Sequence, residues 1–153
     1  MREVNIYIDV YHSGHLKYGT GTYNLLLEYI TDKGLVTKRV HGGIKRTTAN
    51  RTAVAACITA LEQIVLPCDI KIVINSEYVT QAINTNEWFK WLNTGKNAKG
   101  KPAKNMDLWK QLFELVDKYH VTFEYAKSNQ YTLCMISMAK NVKIEFKEDE
   151  GNV

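Results

Sequence analysis

The chain has 153 residues, 45% of them hydrophobic, with only two prolines and a formal net charge of +4. That length and apolar share suit one α/β domain with a sizeable core and exclude a linker-rich or disordered polypeptide. The charge is too modest to demonstrate a nucleic-acid partner by itself, and no apolar run is long enough to span a bilayer.

The N-terminal MREVNIYIDVY reads as a strand rather than a signal peptide, with Val4, Ile6, Ile8 and Val10 on one face and Asp9 near its end. His12-Ser13-Gly14-His15 is a polar turn whose histidines have no acidic or cysteine partner at metal-ligand spacing. A second strand runs from Gly19-Thr20-Gly21-Thr22 through residue 30, Asp32-Lys33-Gly34 is a hairpin signal, and residues 35–40 return as a third strand. Short turns between three strands imply an antiparallel meander. Residues 50–65 carry Ala53, Val54, Ala56, Cys57, Ala60, Leu61, Ile64 and Val65 at helical spacing. Leu66-Pro67-Cys68 ends that helix, and the β-branched residues 69–74 form a buried strand closed by Asn75-Ser76-Glu77.

Residues 77–84 and the aromatic EWFKWL at 87–92 are short helices, and residues 93–104 form an exposed basic loop. Residues 106–119 form an amphipathic helix with Leu108, Trp109, Leu112, Leu115 and Val116 inward, and 121–125 is a fifth strand. Residues 133–142 suit a terminal helix, although 142–146 alternate and could be strand. Helix–strand–helix order adds the later strands in parallel. The expected fold is therefore α/β, a five-stranded mixed sheet of three antiparallel and two parallel strands flanked by helices. A single domain over 1–145 is followed by an acidic, disordered tail at 146–153 with Glu148, Asp149 and Glu150. Cys57, Cys68 and Cys134 lie far apart, two of them inside apolar patterns, which points to free thiols in a reducing, cytoplasmic setting.

Three stretches carry a family resemblance: TTANR before the first helix, NSEYV at a strand end, and WFKWLNTGKNAKGKPAKNMDLWKQL. With this element order, and with Asp9 near the end of the first strand, the chain resembles bacterial type 1 ribonuclease H over roughly residues 4–141. The resemblance implies a ribonuclease H-like fold and hydrolysis of the RNA strand of an RNA–DNA hybrid, with four acidic positions holding two Mg²⁺ ions. Asp9 matches the first position. Ala53 and Asn75 stand at the second and third, and Met135 or Ile136 at the fourth. The family's mobile histidine falls near Asn129.

Charged oxygen ligands set both the affinity for Mg²⁺ and the geometry of its waters. The expectation is therefore a catalytically inactive, non-enzymatic member without a cofactor, its Mg²⁺ site lost and Asp9 at most a weak ligand for a single ion. Glu77 is a candidate replacement carboxylate, although a helix N-terminal glutamate is more often a dipole partner.

Nucleic acid is the expected partner, an RNA–DNA hybrid or a duplex. Arg46, Thr48 and Asn50 match positions that in the family meet a phosphate and the minor groove, with Thr48 or Asn50 as a helix cap the alternative. Ala49 departs from the family's asparagine there. Lys90, Lys96, Lys99, Lys101 and Lys104 would grip a phosphate backbone, while the mixed-in Trp88 and Trp91 suit a small core. One alternative is a protein-interaction module with this fold and no nucleic-acid role. Another is an active metal-dependent ribonuclease H with rearranged ligands. No membrane partner is expected.

Overall fold

The computed structural model describes residues 2–14 and 17–149. Its elements in chain order are β1 (Arg2–His12), β2 (Gly19–Thr31), β3 (Gly34–Thr47), α1 (Ala49–Glu62), β4 (Cys68–Ile74), α2 (Glu77–Asn84), α3 (Glu87–Thr94), α4 (Met106–Lys118), β5 (His120–Tyr125), α5 (Thr132–Ala139) and β6 (Phe146–Glu148). The strands form one sheet in the order β5-β4-β1-β2-β3-β6. β1, β2 and β3 pair antiparallel, as the short turns between them require, while β4 joins β1, β5 joins β4 and β6 joins β3 in parallel.

Alternation along β1 divides the sheet into two chemically different faces. Val4, Ile6 and Ile8 lie with Tyr23, Leu25 and Leu27 in the main core, together with Val54, Ala56, Cys57, Ala60 and Leu61 of α1. The opposite face carries Asn5, Tyr7 and Asp9, and the register sets Asp9 directly across from Asn24 of β2. A slip of one residue would exchange these two sets, so burial of the aliphatic face fixes where Asp9 stands.

The α2–α4 region closes over fully buried Trp109, which meets Trp88, Trp91 and Tyr78 at ring distances of 5.9, 5.8 and 5.6 Å. Its indole N–H donates to Tyr78 Oη at 2.9 Å, so the buried donor is satisfied. Two tryptophans of the aromatic helix are thus packing residues, while Phe89 is half exposed.

Three differences from the sequence-based expectation have local causes. The sheet has six strands, because β6 adds to the edge of β3. Residues 146–149 are therefore ordered instead of belonging to a frayed tail; residues 150–153 lie outside the described residues. Val65 is 87% exposed, since α1 stops at Glu62 and the helical spacing no longer governs that position. Among the described residues no helix is long and apolar enough to cross a membrane.

Leu112 is fully buried beside Trp109. Leu112→Ala is expected to cost about 2–5 kcal/mol in urea unfolding, whereas Val65→Ala should stay within about 0.5 kcal/mol of the parent.

Candidate active site

The carboxyl ends of the parallel neighbours β1 and β4 bring Asp9 and Asn75 side by side. Asp9 is only 3% exposed. Its Oδ2 accepts from Thr132 Oγ1 at 2.8 Å and its Oδ1 from Asn129 Nδ2 at 3.4 Å. Burial pushes its carboxyl above the usual carboxylate range, and the two hydrogen bonds oppose that shift without cancelling it.

Asn75 is engaged with backbone. Its Oδ1 accepts from Val10 N at 2.8 Å and its Nδ2 donates to Val10 O at 3.1 Å. The carboxamide thus acts as one more peptide group, extending the β1–β4 ladder past Ile74. An aspartate could supply the acceptor but not the donor.

Ala53 is buried in the main core and offers no polar atom. Of the two candidates for the fourth position, Met135 is 2% exposed and Ile136 38%. Met135 lies three residues after Thr132, on the same side of α5, so it faces the sheet near Asp9. Glu77 is exposed in the first turn of α2, where Ser76 is the cap, and suits a dipole partner. Among the described residues no three His, Cys, Asp or Glu side chains are grouped to hold a metal. His12 closes β1, with Nε2 2.8 Å from Thr47 O, and so is not a free turn residue. His15 lies outside the described residues.

The basic residues form two groups. Thr48 and Asn50 line a cavity of about 540 Å³ with Lys17, Tyr18, Lys104 and Asn105. Thr48 also caps α1, its Oγ1 accepting from Arg51 N at 3.2 Å. Arg46, Lys90, Lys96, Lys99 and Lys101 are exposed and lie outside that cavity's lining. The lysine loop is a compact hairpin: Lys96 bridges Pro102, and Asn97 Oδ1 accepts from Lys99 N and Lys101 N at 3.0 and 3.1 Å. Gly95 and Gly100 make its turns in the left-handed region. Arg46 pairs with Glu148 at 2.6 Å.

Sequence reasoning assigned no role to Arg51, although it closes the TTANR motif. Arg51 is 5% exposed. Its Nε and Nη2 donate to Asp149, its Nη1 and Nη2 to Asp107 and its Nη1 also to Asn105, all between 2.7 and 3.3 Å. The guanidinium holds the Asp107 carboxyl below its ordinary range and is itself held charged. Asn129 and Thr132, the partners of Asp9, were also missed as contacts. Asn129 was marked only as the place of the family's mobile histidine and Thr132 not at all, because they stand 120 and 123 positions from Asp9. On the same face His41 Nδ1 lies 2.7 Å from Asn24 Oδ1, and burial lowers the histidine's proton affinity.

Residues 1–131 match the family model described as RNase H. The chain is 36% identical over 129 residues to Ribonuclease H of Lachnoclostridium phytofermentans, covering 83% of this chain and 81% of that one. To Ribonuclease H of Stutzerimonas stutzeri it is 36% identical over 127 residues, with 80% of each chain covered. Among solved structures, LC9-RNase H1, described as a type 1 RNase H with the type 2 active-site motif, aligns with a TM-score of 0.75. The identity is 20%, over 92% of this chain and 74% of that one. A foamy viral protease-reverse transcriptase in complex with RNA/DNA hybrid aligns at a TM-score of 0.65 and 18% identity, over 88% of this chain and 18% of that one.

These findings correct the expectation of a catalytically inactive, non-enzymatic protein. The relatives are named for an enzyme, and nothing in the comparisons indicates lost activity. The expectation of a protein without a cofactor likewise lacks support, because the matched family normally uses Mg²⁺.

Asn75→Asp removes the donor to Val10 O, and is expected to lower stability by about 1–3 kcal/mol at pH 7 in urea unfolding. Asp9 predicts a pH signature. Its folded-state pKa is raised, so the ionised group opposes folding above that pKa and does so no longer below the unfolded value of about 3.9. Asp9→Asn should therefore stabilise the fold at neutral pH, with the gain shrinking as pH falls through the folded pKa, in urea titrations from neutral to acidic pH.

Proposed function

This chain belongs to the ribonuclease H family, and from that premise we propose that it performs a ribonuclease H function on RNA–DNA hybrids. The observation carrying this reading is the family match over residues 1–131, together with relatives named for the enzyme. The hybrid named for the foamy viral neighbour supports the same substrate class.

Arg46, Thr48 and Asn50 and the lysine hairpin supply what such a substrate requires. Guanidinium and hydroxyl groups bind phosphate oxygens, and side-chain amides reach 2′-hydroxyls in a wide minor groove. Each lysine that neutralises a phosphate adds a salt-sensitive increment to affinity. Free cysteines at 57, 68 and 134 support a reducing, cytoplasmic setting.

The family's Mg²⁺ ions would activate water and stabilise the leaving oxygen. The side chains at the four matched positions do not fit a pair of such ions. Asn75 spends both polar atoms on Val10, and Ala53 and Met135 carry no oxygen. Asp9 is the carboxylate retained at these positions. In this reading it takes a proton from the attacking water while the P–O bond breaks, and the departing oxygen takes a proton from solvent. At 3% exposure it meets substrate only if the turn at 129–132 moves aside.

With labelled hybrid and either Mg²⁺ or Mn²⁺, the protein is expected to cut the RNA strand. Asp9→Asn should reduce the rate by about 10²–10⁴-fold, the usual contribution of a positioned base. Hybrid that stays intact in both ions at saturating protein would sink the hydrolytic reading, and cleavage indifferent to Asp9→Asn would move the chemistry to another group.

A further inference from the structure

We infer that β6 is an autoinhibitory strap, in which Glu148 occupies Arg46 in place of a nucleic-acid phosphate. The inference rests on the hybrid-engaging reading above and adds a competitor built into the same chain.

The strap has a seat, a competing anion and a fixed post. The seat is Gly43, paired with Phe146 at the start of the β3–β6 ladder. A β-carbon at Gly43 would fall 2.4 Å from Phe146 Cδ1 and Cε1, so the ring can lie against β3 only because that side chain is absent. The competing anion is Glu148, whose Oε2 receives Arg46 Nε at 3.2 Å and Nη2 at 2.6 Å. A carboxylate and a phosphate offer a guanidinium the same kind of charged oxygen. The post is Asp149, which receives Thr47 Oγ1 at 2.6 Å and Arg51 Nε at 2.7 Å.

The two anchors differ in strength. The Arg51–Asp149 side chains are 6% and 7% exposed, so that pair is shielded from water and salt. The Arg46–Glu148 side chains are 77% and 52% exposed, where an ion pair is weak and screened. Arg46 can therefore exchange Glu148 for a phosphate while Asp149 keeps the strap docked nearby. Arg46 and Thr47 directly precede Thr48, so the acidic segment lies at the entry to the proposed binding face.

The test is an anisotropy titration of labelled RNA–DNA hybrid, in EDTA so that no strand is cut, at low and high salt. Glu148→Gln is expected to bind about two- to fivefold tighter than the parent at low salt, the scale of one exposed ion pair, with the gain fading at high salt. Phe146→Ala leaves the charge unchanged and should also bind tighter, with faster hydrogen exchange at residues 146–148. In an Arg46→Ala background the gain from Glu148→Gln should disappear, whereas a general effect of net charge would persist. A gain that survives in that background overturns the inference, as does a Phe146→Ala protein that exchanges faster at β6 but binds no tighter. If neither the parent nor any variant binds hybrid at low salt, the functional reading itself fails and takes the strap with it. Binding that is equal in all of them leaves that reading standing and removes only the strap.

Discussion

The Arg51 guanidinium ties together parts of the chain that no local interaction could align. It stands in the first turn of α1 and bonds Asp107 in α4 and Asp149 after β6, 56 and 98 positions away. Taking a charge out of water costs several kcal/mol unless geometry and hydrogen bonding are good. Here Nε, Nη1 and Nη2 all have oxygen partners. Because a single buried cation holds both carboxylates, the entry to α1, the start of α4 and the last described strand share one fixed point. Thr48, Asn50, Lys104 and Asn105 surround a common cavity beside it.

The cleft at the ends of β1 and β4 is held by a different logic. In a metal-binding cleft, carboxylates repel one another until cations neutralise them. In this one a carboxamide closes the ladder at Val10, an alanine joins the core and a buried methionine stands at the fourth position. Asp9 is stabilised by the hydroxyl of Thr132 and the amide of Asn129, and its raised proton affinity records the dryness of the site. The family is that of an enzyme, and the cleft carries one acid where the resemblance implies four. That acid is held under the turn carrying Asn129 and Thr132.

Charge is also divided on the outer surface. The lysine hairpin extends into solvent on a frame made by Asn97, Gly95 and Gly100, so its cations are displayed by backbone geometry and no acidic partner is needed to hold them. Glu148 and Asp149 instead lie against Arg46 and Arg51. A modest net charge thus conceals a basic protrusion and an arginine pair already met by carboxylates.

Much of the fold was legible because periodicity and turn chemistry act locally. Val4, Ile6 and Ile8 alternate, α1 repeats its apolar face, and Ser76 starts α2 within a residue of where polar capping places it. The resemblance of the motifs marked Asp9, Ala53, Asn75 and Met135 or Ile136 as the four matched positions. The sequence could not reveal what those substitutions do in the folded protein, because Asn75 completes a strand pairing with a residue 65 positions away. Nor could it place β6, whose seat is the missing side chain of Gly43 and whose acids find arginines about a hundred positions distant. Local periodicity, turn chemistry and burial sufficed to read every strand but β6 and the aliphatic core from the amino-acid sequence, and motif resemblance pointed to the family. The tertiary structure alone decided which polar groups meet, since hydrogen bonds and ion pairs in a dry interior depend on ångström-scale distances between remote residues.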